Sequence, residues 1–277
     1  MATALINRDF IRKAAWKENR CRIDGRAPHE FRETVIHFFN KNGNSEIHLG
    51  GTHVRSTVTG EVVPPTQDRP NEGRLFFGVE FMADVDAVPS IDTSRSSVEA
   101  IAICNHVERV LRGSKAIDSE SLCILGGKSV WSLRCDTQII RDDGSAADAC
   151  SLAALCALLN FKYGAISYEG DHAVVFATSA REPVSMSVYH LPISTSFALF
   201  ESQEGVSWFA DPCIDEEKAF GSILSVTVNQ HGELCGINKP GGIPIDSDLL
   251  NACIEVAVER AKYASSLVRS TLPDKAN

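Results

Sequence analysis

Apolar and polar side chains alternate in many short segments of the chain, a pattern typical of half-buried strands. The alternation predicts strands at 34–39, 46–49, 52–63, 75–81, 122–125, 130–140, 173–177, 184–190, 194–200, 207–209, 223–229 and 233–237. Gly50 and Gly51 lie between two of these segments, and a tight hairpin turn there needs the positive φ that glycine tolerates. Strands therefore dominate both halves of the sequence.

Helical periodicity separates some of the strands. Apolar residues spaced three and four apart predict helices at 7–19, at 94–113, after the turn at 142–145 as far as residue 161, and at 246–268. Strand-rich halves with helices between them predict an α/β (α+β) protein in which two β-sheet lobes are covered by helices. We place the N-terminal lobe at 1–190 and the C-terminal lobe at 191–277.

Charge and cysteine usage narrow the classes of function. Acidic residues outnumber Lys and Arg 36 to 27, so the 277-residue chain carries a formal net charge of −9, and a polyanion would have to bind a local basic patch. The nine cysteines form no Cys-x-x-Cys pair, and no histidine stands at ligand spacing from them. We therefore expect free thiols, no metal site and no cofactor. Without a leader peptide or an apolar spanning segment, we expect an intracellular protein with no membrane partner.

The helix predicted at 94–113 has two unlike faces. At about 100° per residue, Val107 and Leu111 fall on one side, whereas Arg109 and Arg112 fall nearly opposite. One interpretation is a solvated face whose charge is balanced by nearby Glu108. The other is a surface that binds successive phosphate groups, formed by Arg74, Arg95, Arg109, Arg112 and Lys115.

The turn at 142–145 is a candidate anion site. It leads into a helix rich in small side chains, and the first amides of a helix, together with its dipole, favour an anion. A site that holds phosphate against water normally adds a guanidinium, but Ala146 and Ala147 stand at the helix start. The sequence therefore predicts an anion-type turn without its cation.

Six motifs, in this order, resemble those of RNase PH-like proteins. They are RIDGR (22–26), LGGTHVRSTV (49–58), RPNEGRLFF (69–77), RGSKAIDSESLCILGGKSVW (112–131), REPVSMSVYHLPI (181–193) and DPCIDEE (211–217). Together they extend over nearly the whole chain, and the fourth, with the turn that follows, is most similar to a ring subunit of the eukaryotic RNA exosome. The resemblance implies an RNase PH-like fold, with an N-terminal lobe like ribosomal S5 domain 2.

The resemblance also bears on activity. Active members degrade RNA from its 3′ end with inorganic phosphate, which they hold in a Gly-Ser/Thr-Arg turn, and an aspartate follows their paired glutamates. Here the turn positions are Gly144, Ser145 and Ala146, and Gly221 and Ser222 stand near the position of the aspartate. The implied chain is therefore an inactive homologue with no catalytic residue. An active phosphate-dependent 3′-to-5′ exoribonuclease remains the alternative.

The acidic residues near these positions have structural explanations. Glu216 and Glu217 are expected in the first turn of a short helix, where negative charge is favourable. Asp142 and Asp143 are expected as turn and cap residues. His190 is expected to pack as a sheet residue, because no nucleophile motif lies near it in the sequence.

The resemblance implies partners as well. It implies other RNase PH-like ring subunits, S1/KH-type cap subunits, hydrolytic nucleases and single-stranded RNA. In this family, arginines that match Arg109 and Arg112 face the site of the neighbouring subunit, whereas Asn105 departs from a third arginine. The chain is thus expected to support rRNA maturation, mRNA decay and RNA surveillance in the nucleus, nucleolus and cytoplasm.

Overall fold

The computed structural model describes residues 2–16, 22–39, 42–82, 93–169, 172–176, 181–202 and 205–273. Its larger sheet has the order β1-β2-β3-β6-β4, with β5 paired to β6. These strands are β1 Thr34–Phe38, β2 Asn44–Leu49, β3 Thr52–Val63, β4 Arg74–Phe81, β5 Cys123–Leu125 and β6 Ser129–Arg141. β4 runs parallel to β6 and lies at the edge of the sheet, while the other named pairs are antiparallel.

The second sheet has the order β12-β11-β13-β14. Its strands are β11 Ile193–Ser202, β12 Gly205–Ala210, β13 Ile223–Val228 and β14 Leu234–Asn238. Two short strand pairs lie between the two larger sheets in sequence. They are β7 Lys162–Tyr163 with β10 Val184–Ser185, and β8 Ile166–Glu169 with β9 His172–Val175. The five α-helices of the described chain are α1 Ala2–Trp16, α2 Thr93–Glu108, α3 Ala146–Leu159, α4 Ile214–Phe220 and α5 Ser247–Thr271.

Helix α3 lies between the two sheets. It packs against β2, β3 and β6 of the larger sheet and against β11 of the other, and it is buried along nearly its whole length. Because alanines and cysteines dominate its sequence, both sheets can approach its backbone closely. Helix α5 covers the opposite face of the second sheet, so β11 is buried on both faces. One apolar core therefore continues from sheet to sheet, and the predicted fold class is confirmed.

The boundaries of several elements differ from those predicted. Only Val184 and Ser185 of the strand predicted at 184–190 join a ladder, and Val188 forms a single bridge with Ile117. Met186 is nevertheless buried. The alternation there reflects burial of one side of an extended segment that is not part of a sheet. The expectation that half-buried His190 packs as a sheet residue is therefore wrong.

Two short strands, β7 and β8, were not predicted. The first predicted helix begins earlier, at Ala2, and its predicted end at 17–19 lies outside the described residues. The helix predicted at 94–113 ends in a π-helical turn at Arg109–Gly113. All eight cysteines in the described part of the chain are free. No helix there has both the length and the apolar character that a membrane span requires.

Candidate anion turn and nucleic-acid interface

The turn before α3 has the backbone of an anion site. Gly144 and Ser145 both have positive φ, 94° and 51°, and Ser145 is the N-cap of α3. Successive residues of this kind direct their amides toward one point. Ala146, at the position where a phosphate site would place a guanidinium, is buried and carries only a methyl group.

A carboxylate of the protein itself occupies this turn. Glu217 of α4 accepts a hydrogen bond from the Ser145 amide at 2.8 Å, and the Ser145 hydroxyl donates to the Pro212 carbonyl at 3.1 Å. The Gly144 amide donates to the Asp142 carboxylate at 2.9 Å. The donors of Gly144 and Ser145 that would hold phosphate are therefore already used.

Burial of Glu217 has an electrostatic consequence. Desolvation raises the pKa of its carboxyl to about 7, and the nearby negative charges of Asp142 and Asp148 act in the same direction. The Ser145 amide and Arg32 oppose the rise but do not cancel it. Burial, reinforced by the charges of Asp142 and Asp148, thus disfavours the ionised form of Glu217, and the same two carboxylates would repel a phosphate ion in the turn.

Arg32 brings a guanidinium to the turn but uses it elsewhere. It donates to the carbonyls of Asp143 at 2.8 Å and Gly144 at 3.0 Å, and to the Asp211 carboxylate at 2.6 Å. Burial alone would raise the pKa of Asp211, but hydrogen bonds and charge attraction from Arg32 outweigh it, and the pKa is lowered. Arg32 therefore stabilises the carbonyl side of the turn and does not replace the cation missing at Ala146.

Glu216 has a structural role, as the sequence predicted. It lies in the first turn of α4, is fully buried, and accepts from the Cys213 amide at 3.0 Å. Arg22, also buried, donates to its two carboxylate oxygens at 3.0 and 2.7 Å. Its carboxylate is thus fully engaged in joining the segment before β1 to α4.

The position expected for the acid is at the entry to β13. Gly221, with φ of 64°, ends α4 in the left-handed region that glycine tolerates. The buried Ser222 hydroxyl accepts a hydrogen bond from the Ile243 amide at 3.1 Å. This position therefore supplies a serine engaged with the backbone and no carboxylate.

A buried histidine and aspartate meet near the start of α3. The Ser194 hydroxyl lies 2.9 Å from His106 Nε2 and donates to Asp148 Oδ1 at 2.7 Å, and the Ser196 amide donates to Oδ2 at 2.7 Å. Desolvation lowers the pKa of His106 and raises that of Asp148. His106, Ser194 and Asp148 are all buried, so this network joins α2, α3 and β11 and presents no nucleophile to solvent.

A groove with a volume of about 1050 Å³ contains three of the predicted RNA-binding residues, Arg74, Arg112 and Lys115. It also contains Phe76 and Tyr189, whose exposed fractions of 53% and 63% leave most of each ring open to a ligand. Cations beside exposed aromatic rings suit a single strand, whose phosphates and bases need different partners.

The groove is lined by Glu72, Asp118 and Glu120 as well as by its cations, so the positive charges are partly neutralised. Arg112 binds the carboxylate of Glu108 and the carbonyl of Leu75, as the interpretation of a charge-balanced face expects. Phosphate binding by this arginine stays a prediction. Arg69 pairs with Glu72 at 2.9 Å, and both side chains are substantially exposed. Exposed pairs of this kind are weak and exchange readily with phosphate.

The remaining predicted residues lie elsewhere. Arg109 is exposed, as the helical wheel predicts, but it donates to Asn238 in β14 at 2.6 Å and lines a separate pocket with His106 and Gly236. Arg95 lies in α2, and its side chain is outside the described residues. The predicted five-residue surface is therefore divided.

The sequence matches both domains of one protein family. The description "3′ exoribonuclease family" applies to its domain 1 at residues 30–163 and to its domain 2 at residues 190–260. Exosome complex component RRP45A of Arabidopsis thaliana is 34% identical over 95% of this chain and 85% of its own length. The chain belongs to the RNase PH family.

Other members of the RNase PH family have similar sequence and fold. Exosome complex component rrp45 of Schizosaccharomyces pombe is 30% identical over 99% of the chain and 92% of its own length. RRP45 of Danio rerio is 36% identical over 95% of the chain, which spans 65% of that protein. A chain of the Archaeoglobus fulgidus exosome with RNA bound to the active site superposes with a TM-score of 0.77 at 25% identity, covering 96% of this chain and 99% of that one.

The two aromatic residues of the groove were not predicted from the sequence of this RNase PH family member. Phe76 stands between Leu75 and Phe77, and in an apolar run nothing marks which ring faces outward. Tyr189 lies within the strand predicted at 184–190, next to His190, and its exposure was not predicted. Beyond that apolar run, the two-residue repeat of the strand puts Phe76 on the same face as Arg74 and Glu80, and this pattern could have identified it as outward-facing.

Proposed function

We propose that the chain is a non-catalytic ring subunit of the RNA exosome that helps to hold single-stranded RNA. The support is its similarity to proteins named RRP45, and we propose that it corresponds to the subunit known in humans as the smaller polymyositis/scleroderma autoantigen. We propose the loss of catalysis because Glu217 accepts a hydrogen bond from the Ser145 amide, next to Ala146.

Phosphorolysis needs a cation to hold a second dense anion beside the RNA phosphate. In this chain, phosphate would have to displace the Glu217 carboxylate without help from a guanidinium, since Arg32 is engaged by Asp211 and by backbone carbonyls. A proton donor is also needed, and Ser222 occupies its expected position. Two separate requirements are thus unmet, which favours the inactive homologue over an active exoribonuclease.

The groove supplies the proposed RNA contact. Arg74, Arg112 and Lys115 provide charge for phosphates, and Phe76 and Tyr189 provide faces for bases. Arg109 and Arg95 remain proposed as separate contacts along the same path. We propose no bound metal and no cofactor in this RNA contact.

Exposed apolar residues near the β4 edge support binding to other ring subunits. Val98 and Ile101 of α2 are both more than half exposed, and α2 packs against β4. An edge strand with apolar neighbours is a surface that proteins normally cover. As further partners we propose S1/KH-type cap subunits and hydrolytic nucleases, with action in rRNA maturation, mRNA decay and RNA surveillance in the nucleus, nucleolus and cytoplasm. The lobes at 1–190 and 191–277 are our proposed division.

The decisive experiment compares phosphorolysis by the purified chain and by the reconstituted ring. With a 3′-tailed RNA and inorganic phosphate, we expect no nucleoside diphosphate from the chain alone, nor from the chain carrying Ala146→Arg, since Glu217 and Ser222 remain. Release of nucleoside diphosphate by the unmodified chain would establish the alternative, an active exoribonuclease.

RNA retention by the ring tests the groove. The double variant Arg112→Glu/Lys115→Glu should bind a single strand more weakly and with less dependence on salt, because about 0.7 counterions are released for each phosphate contact. Arg269→Glu, an exposed arginine of α5, makes the same type of charge change away from the groove. The matched comparison is with Arg112→Glu alone, which changes the charge by the same amount. Equal losses of affinity in Arg112→Glu and Arg269→Glu would show only an effect of overall charge.

A further inference from the structure

Three side chains with metal-binding atoms converge on the outer face of the larger sheet. Glu46 and His48 lie two apart on β2 and therefore on the same face, and His53 stands directly opposite His48 on β3. The two strands are joined through Gly50 and Gly51, so a short hairpin fixes the pairing. The ligand atoms of the three residues all lie within 4.8 Å of one another.

Hydrogen bonds hold the three side chains around one point. Glu46 Oε1 is 2.7 Å from His53 Nε2 and 3.1 Å from His48 Nε2. The two imidazole rings stack with centroids 4.0 Å apart and an interplanar angle of 19°. Ligand atoms around a tetrahedral Zn²⁺ are about 3.3–3.6 Å apart, given metal–ligand distances of about 2.0–2.2 Å. Movement of the two imidazole nitrogens away from Glu46 Oε1 by about 0.2–0.9 Å would therefore admit an ion.

We propose that Glu46, His48 and His53 form a binding site for a divalent transition-metal ion such as Zn²⁺. Two imidazole nitrogens and one carboxylate oxygen are ligands that Zn²⁺ accepts, and three protein ligands leave a position for water or a partner. All three side chains are half-buried, so they are held in place yet remain open to an ion from solvent.

The titratable neighbours of these residues on the adjacent strands are His37, Arg55 and Arg141. His37 on β1 stands opposite Glu46, and its ring meets that of His48 edge-on with centroids 5.7 Å apart. Arg55 is the partner of Glu46 on the other side, but its guanidinium lies over the Phe39 ring, 5.0 Å from the centroid. Its charge is therefore stabilised by that ring.

The spacing of these residues in the sequence does not predict the site. His48 and His53 are five residues apart in sequence, and only the hairpin register places them opposite each other. The site lies on the outer face of the sheet, and it does not depend on the proposed exosome role.

Metal titration of the full chain tests the proposal. Zn²⁺ is added under reducing conditions in competition with a chromophoric chelator, and Co²⁺ is used as a spectroscopic probe. We expect one equivalent of Zn²⁺ to bind and a Co²⁺ spectrum without a thiolate charge-transfer band. His53→Ala and Glu46→Gln should each weaken binding at least about tenfold, whereas His231→Ala, an exposed histidine after β13, should not change it.

Thermal unfolding without metal verifies that each variant is folded. Zn²⁺ should raise the Tm of the unmodified chain and of His231→Ala, and not that of His53→Ala, because a ligand that binds only the folded state stabilises it. The proposal is overturned if no Zn²⁺ binds, if the folded His53→Ala variant binds equally well, or if a thiolate band identifies cysteines as the ligands.

Discussion

The turn before α3 and the groove beside α2 both look suited to phosphate, yet their charges are arranged in opposite ways. In the turn, the donors of Gly144 and Ser145 bind carboxylates or a carbonyl of the same chain. In the groove, Arg112 and Lys115 are exposed, and the acidic partner of Arg112 is itself partly exposed. The polar groups of the turn are thus bound within the chain, whereas the cations of the groove remain able to bind another molecule.

Under the proposed function, the difference explains how a family member could lose phosphorolysis and keep a surface for RNA. Buried donors and acceptors must be satisfied, so removal of a phosphate-binding guanidinium leaves a turn that a nearby carboxylate can fill. Exposed cations have no such requirement, because water and weak ion pairs solvate them. Substitutions around the turn should therefore change the stability of the fold, and substitutions in the groove should change RNA binding.

The largest effect on stability is expected from Glu216→Ala. This change leaves Arg22 buried without its carboxylate partner, and loss of one member of a buried pair costs about 3–5 kcal/mol. Urea denaturation should show a correspondingly lower free energy of unfolding. Glu72→Ala is the control, because its pair with Arg69 is exposed and should contribute about 1 kcal/mol or less. Similar losses in the two variants would contradict the distinction between the regions.

The next effect is a change in the pH dependence of stability in Glu217→Gln. Burial raises the pKa of Glu217 to about 7 from an ordinary value of 4.5, so between these pH values the folded state binds more protons than the unfolded state. Stability contributed by this group therefore falls as pH rises through that window. Glutamine can still accept from the Ser145 amide and should be more stable than glutamate at pH 8 by about 3 kcal/mol.

Urea denaturation of both proteins from pH 4 to pH 8 measures this effect, and the difference between the two curves removes the contribution of other titrating groups. The difference should grow from pH 4.5 to 7 and then level off. A constant difference across the range would mean that the Glu217 carboxyl titrates normally.

In the groove, the largest effect on RNA affinity is expected from the aromatic residues. Stacking of a base on an aromatic ring contributes about 1–3 kcal/mol, so Phe76→Ala or Tyr189→Ala should weaken binding of a single strand by the ring about 5- to 150-fold. Phe10→Ala removes an equally exposed ring from α1 and serves as the control. Unchanged affinity in both groove variants would restrict the groove to a protein contact, and fluorescence anisotropy with a labelled RNA distinguishes the outcomes.

Periodicity predicted most strands and the helices, because burial of one face imposes a repeat that is local in sequence. β3 was predicted at its observed bounds, Thr52–Val63. The occupant of the anion turn could not be predicted in this way: Ser145 and Glu217 are 72 residues apart, and Arg22 and Glu216 are 194 apart. Only tertiary packing brings such pairs together.

The helical wheel shows a second limit of local patterns. It predicted the outward direction of Arg109 and Arg112 and the inward direction of Val107 and Leu111. It treated the two arginines as neighbours, because it assumed about 100° per residue as far as Gly113. The π-helical turn at Arg109–Gly113 has more residues per turn than an α-helix, so that angle no longer applies.

The smallest effect is therefore expected from Arg109→Ala. Its guanidinium already donates to Asn238, outside the groove that contains Arg112. Arg112→Ala should reduce the salt dependence of RNA binding by about 0.7 in the log–log slope, as loss of one phosphate contact with a single strand requires. Arg109→Ala should change it by less, so the ratio of the two effects measures how far the surface is divided. Equal reductions would show that both arginines contact RNA in the assembled ring, with Arg109 leaving Asn238 when RNA binds.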